Sequence, residues 1–130
     1  MSLKEIEQIL ARQLAEYMAI PVFIVDQSGD MLFFNDSAGI ILGRQYRDID
    51  SMSASEWTTV FEPKDQEGRP LKPEELPLMI AMTQQHPEQK RLRIRGLDKV
   101  LREIDVITVP IIAHEQRYLG AAAVFWEVPK

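Results

Sequence analysis

The side chains able to do chemistry are few and lie far apart in the sequence. There is no cysteine, so a thiolate nucleophile, a disulfide framework and a cysteine zinc site are excluded. His86 and His114 are the two histidines. A structural metal site needs three or four convergent ligands, which isolated histidines do not supply. Asp26 and Asp65 each open an Asp-x-x-Gly run that ends at Gly29 or Gly68. An aspartate so placed bonds to its own backbone rather than transferring protons. The sequence carries no glycine-rich phosphate loop and no Gly-x-Ser-x-Gly elbow. The chemistry on offer is recognition, and no enzymatic activity is expected.

Three features are suited to recognition. Arg91, Arg93 and Arg95 alternate with Leu92 and Ile94. That row either meets an anion or acidic partner or, as is commoner, forms the solvated face of a strand. Ala121, Ala122 and Ala123 are small where strand cores favour β-branched residues. Facing Phe34, Ile41, Trp57, Met79, Met82, Ile94 and Ile104, the alanines Ala121 and Ala123 would leave a pocket. The plainer alternative is that they let a helix sit close to the sheet. A ligand there should be small and mostly apolar, with Trp57 and Asn35 as its polar handles, although Asn35 is equally suited to capping a helix. Trp126 fits either a partner contact or a cover for the core edge.

These residues are carried by elements that the sequence marks out in order. Leu3, Ile6, Leu10, Leu14 and Tyr17 recur at spacings of three and four, which predicts an amphipathic helix over residues 3–18. Its stripe must be buried, against its own sheet or against the same helix of a second chain. Pro21 ends it. Val22 to Val25 and Met31 to Phe34 predict a hairpin across the Asp26–Gly29 turn. Asn35 caps a short helix that ends at Gly43. Ser53 or Ser55 caps a helical turn with Trp57, Val60 and Phe61. A loop over residues 63–77 carries the second Asp-x-x-Gly turn. Pro73 opens a helix that runs to about Gln85, with Leu76, Met79, Ile80 and Met82 or Thr83 inward. Strands are expected over 89–95, 100–112 and 117–128. Helix, two strands, helices, three strands is the order of an α+β domain with an antiparallel sheet.

That order, with its punctuation, resembles a PAS domain of the bacterial sensory type. The positions that carry the resemblance are Asp26, Gly29, Asn35, Ala38, Leu42 and Gly43. They continue as Asp65, Gly68, Arg69, Pro70, Leu71, Glu75, Pro77 and Leu78, then Pro110, Gly120 and Ala121. The resemblance implies a five-stranded antiparallel sheet with helices on one face, over residues 19–130, preceded by the amphipathic helix of residues 1–18. It implies a sensory or docking module that acts through small-ligand sensing, protein–protein interaction or both, as a homodimer. The alternative is a ligand-free scaffold for dimerisation. In the family, light-oxygen-voltage flavin sensors and yellow photoreceptors use a cysteine, which this chain lacks. Haem-binding members take an axial histidine from the long helix, and His86 falls just past its end. Noncovalent flavin stays open, and the cofactor stays unnamed. Family members commonly pass the signal on through Asp-Ile-Thr after the last strand. Here Trp126-Glu127-Val128 stands there, so the partner is either an effector beyond this chain or a separate signalling protein.

Composition bounds the rest. A net charge of −5 argues against a nucleic-acid partner. No segment reaches the ~18 consecutive apolar residues of a membrane span, and Lys4, Glu5, Glu7 and Arg12 interrupt any signal core. A cytoplasmic protein is expected.

Overall fold

The structure, a computed structural model, describes residues 20–49 and 51–129. The predicted helix over residues 3–18, with Leu3, Ile6, Leu10, Leu14 and Tyr17, lies outside the described residues. Among the described residues, five strands form one antiparallel sheet: β1 (Val22–Asp26), β2 (Met31–Phe34), β3 (Glu88–Arg95), β4 (Leu101–Ala113) and β5 (Arg117–Glu127). Their order is β2-β1-β5-β4-β3. Helices α1 (Asp36–Leu42), α2 (Ala54–Val60) and α3 (Pro77–Gln84), with short 3-10 turns at Tyr46–Asp48, Pro73–Glu75 and His114–Gln116, complete the domain.

Two turns of the same construction position the hairpins. In the first, Asp26 Oδ1 accepts from the backbone of Ser28 and Asp30. In the second, Asp65 Oδ1 accepts from the backbone of Glu67 and Arg69, and Arg69 Nε donates to Oδ2. Gly29 and Gly68 have φ of 89° and 86°, the left-handed region that glycine enters without steric cost. Both acids therefore do the local work expected of them. The second turn folds residues 63–71 back so that Lys64 pairs with Arg93 on the open side of β3. At the opposite side of the sheet, Met31 N donates to Met52 O.

Pairing registers sort the side chains between two faces. Phe23 stands opposite Phe34 and Ala123, and Ala123 opposite Thr108, all on the inner face towards the helices. Ile24 stands opposite Phe33 and Ala122 on the outer face. Alternation thus sends Ala122 outward, away from Ala121 and Ala123, so the three consecutive alanines do not share one wall. The outer cluster comprises Val22, Ile24 and Phe33, with Ile111, Ala122, Val124, Leu32 and Tyr46 packed on it.

The long helix expected from Pro73 to Gln85 is two pieces. Pro77 forces Leu76 into extended backbone, φ −73° and ψ 138°, because the residue before proline avoids the α region. The 3-10 turn at Pro73–Glu75 ends there and α3 starts afresh. Its buried residues are Pro77, Leu78 and Ala81, while Met79, Ile80 and Met82 are only half-buried and Thr83 is exposed. At α2, Glu56 accepts from Ser53 N and Oγ, an N-terminal cap at the predicted place. Trp57 and Phe61 turn inward and Val60 stays 39% exposed.

Candidate functional site: an apolar cavity between sheet and helices

A cavity of about 100 Å³ lies between the inner face of the sheet and α2–α3. Its floor is Phe23 of β1, Leu92 and Ile94 of β3, Ile104 and Val106 of β4, and Ala123 and Phe125 of β5. Its roof is Leu42, Trp57, Phe61, Pro63, Leu76, Pro77 and Leu78. Every layer of the domain contributes to it. No lining side chain is charged, and its one polar side-chain atom is the indole nitrogen of Trp57.

Two hydrogen bonds hold the roof. Trp57 Nε1 donates to the carbonyl of Gly29 at 2.6 Å, which ties α2 to the β1–β2 turn. An indole has one N–H, so this bond leaves none for a ligand. Thr108, fully buried on β4, donates from Oγ1 to the carbonyl of Pro77 at 2.9 Å and pins the start of α3 to the sheet. The ring of Phe23 meets that of Trp57 edge-on at 5.8 Å, a favoured aromatic geometry.

Of the residues singled out from the sequence, Trp57, Ile94, Ile104 and Ala123 meet around the cavity. Phe34, Asn35, Ile41, Met79, Met82 and Ala121 do not line it. Phe34 stacks on Phe23 at 6.0 Å, further along the sheet. Asn35 is committed to structure: Oδ1 accepts from Val22 N and Ala38 N, and Nδ2 donates to Ile20 O. Ile41 lies in the core at the end of α1, where its carbonyl accepts from Arg102. Met79 packs on the core rim, since the restart of α3 at Pro77 turned Leu78 inward in its place. The methyl of Met82 covers Gly29. Ala121 sits between Val25 and Pro110 in the sheet. Ten of the fourteen lining residues were not among the candidates, Val106 and Phe125 with them, although simple alternation from Ile104 and Ala123 points to both.

The arginine row is the face of a strand, and two of its three charges are paired. Arg91 makes two bonds to Asp105, at 2.8 and 3.0 Å. Arg95 meets Glu62 at 3.3 Å, and Arg93 stands opposite Glu103. His86 follows α3 and contacts Gln84 Oε1 and Pro87 O, and His114 lies in the β4–β5 turn. Neither lines the cavity. Among the described residues, no cluster of three or more His, Cys, Asp or Glu is placed to hold a metal. No helix among them is long and apolar enough to cross a membrane.

The family profile of the PAS fold matches residues 9–127. The chain belongs to the PAS family. Solved PAS structures have the same fold. The PAS domain of BvgS from Bordetella pertussis superposes with a TM-score of 0.68 at 16% identity, over 95% of this chain and 88% of that one. The PAS domain of nitrogen regulation protein NR(II) from Vibrio parahaemolyticus gives 0.63 at 15% identity, over 92% and 98%. The LOV protein of Rhodobacter sphaeroides gives 0.72 at 12% identity, over 98% and 69%. At such identities the likeness is one of fold. No curated protein matches the chain.

Proposed function

We propose that this PAS domain is a non-catalytic sensory module that reports a small apolar ligand, a protein partner or both by changing how its helices sit on the sheet. One observation carries the reading: the cavity is walled by all the layers at once, so filling it bears on the packing of α2 and α3 against β1, β3, β4 and β5. A ligand shifts such an equilibrium by its differential affinity for the two packings and no further.

The output is a homodimer contact made by residues 3–18 in a cytoplasmic protein, passed to a signalling partner or to an effector beyond this chain. The outer sheet face supports this. Val22, Ile24, Phe33 and Val124 make it apolar, and the stripe of Leu3, Ile6, Leu10, Leu14 and Tyr17 is apolar in complement.

The test is a native mass spectrum of the purified protein compared with its denatured mass. Extra mass that vanishes on denaturation, in a particle of two chains, is the expected result. A bare mass that persists on adding cell extract favours the ligand-free scaffold. Leu10→Glu with Leu14→Glu should give monomers; a dimer that survives both changes removes residues 3–18 as the dimer element.

A further inference from the structure

We infer that the cavity takes an uncharged apolar molecule no larger than about a benzene ring, and that it rejects flavins, haem and carboxylate ligands. The inference rests on the ligand-sensing reading above and gives it a chemical class.

Volume sets the size. Pockets for drug-sized ligands run to about 300–1,000 Å³, whereas this one has about 100 Å³. A dry cavity of about 150 Å³ lined by Leu, Ile and Phe admits benzene or xenon, so the present cavity sits at the small end of that class. Three fused flavin rings or a porphyrin exceed it. Growth is resisted from both sides of the roof, because the Trp57–Gly29 and Thr108–Pro77 bonds would have to part.

The lining sets the polarity. Trp57 Nε1 is spent on Gly29 O, and the buried hydroxyl of Thr108 is spent on Pro77 O. A carboxylate entering would lose its hydration and find no donor, a prohibitive exchange in an apolar site. The smallest side chain in the wall is Ala123, between Phe23 and Thr108, so a larger residue there would occupy the space itself.

Methyl NMR of the full chain under xenon, and with benzene, benzoate or riboflavin added, tests this. Xenon and benzene should shift the methyls of Leu78, Leu92, Ile94, Ile104 and Val106, and Ala123→Leu should abolish both effects. Benzoate and riboflavin should shift none of them. Saturable binding of benzoate or riboflavin at these methyls would overturn the inference, as would their silence, or shifts elsewhere only, under xenon and benzene. The wild-type comparison of benzene with benzoate decides the matter even if Ala123→Leu fails to fold. Diffusion measured in the same samples separates the two readings. Benzene binding with an unchanged oligomer sinks the sensory coupling and leaves the ligand class standing. Absent benzene binding sinks the ligand class and leaves partner sensing intact.

Discussion

Arg102 on β4 donates to the last-turn carbonyl of Ile41 on α1 at 2.7 Å. Asp98 holds the same guanidinium in a two-pronged grip, at 2.8 and 3.1 Å. The side chain of Arg102 is 13% exposed, so the pair works partly out of water, and it fastens the end of α1 to the turn between β3 and β4. Arg102→Met keeps the length of the side chain and removes the donors. A buried carbonyl that loses its partner costs about 1–3 kcal/mol, and urea unfolding followed by circular dichroism should show a loss in that range.

Acid should weaken the fold through the same contact. The Arg102 guanidinium holds the Asp98 carboxyl below its ordinary value, against the opposing effect of burial. The backbone N–H of Arg69 lowers Asp65 most, and the Arg91 guanidinium lowers Asp105. A carboxylate with a depressed folded pKa contributes stability above its unfolded value of about 3.9, and loses it as pH falls through the folded value. The urea midpoint should therefore hold steady near neutrality and fall below about pH 4. In Asp98→Asn it should start lower and fall less steeply.

The roof of the cavity can be loosened at one atom. Thr108→Val keeps shape and deletes the hydroxyl that reaches Pro77 O. The expected loss is about 0.5–1.5 kcal/mol, the net worth of one hydrogen bond, since the first-turn carbonyl keeps its place in the helix ladder. Hydrogen exchange should quicken at Ile80 and Ala81 in α3 before it quickens in β4. Uniform acceleration through the whole domain would mean that the bond has no local role.

One stabilising change is available at the tip of the β4–β5 hairpin. Glu115 and Gln116 both have positive φ, 65° and 61°, the conformation that two-residue hairpin turns fill with Asn-Gly. Left-handed backbone costs a residue with a Cβ about 1–2 kcal/mol. Glu115→Asn with Gln116→Gly should raise stability by about 1 kcal/mol, read as a higher melting temperature in calorimetry.

The elements whose signal is local were legible in the sequence. Asp26–Gly29 and Asp65–Gly68 announce their turns, Ser53 its helix, and the alternation around Leu92 and Ile94 its strand. Both residues are buried, at 4% and 5% exposed. The cavity was less legible because its lining depends on where α3 begins. Reading Pro73 as the first residue of one long helix put Met79 and Met82 inward. The restriction that Pro77 places on Leu76, the same one that Pro21 places on the residue before it, resets the helix and turns Leu78 inward. Trp57 was legible as a lining residue. Its loss as a polar handle was not, because Gly29 O comes within reach only once the turn and α2 are packed together.

The bridge between Lys64 and Arg93 closes part of one border of the sheet, and the bond from Met31 to Met52 closes part of the other. A border left open along its length is a template on which a foreign strand can grow, and from there a fibre. On the β3 side, the stretch beyond the bridge carries Lys90, a charge that discourages such growth. Strand-to-strand recruitment is thus obstructed on both flanks of the sheet.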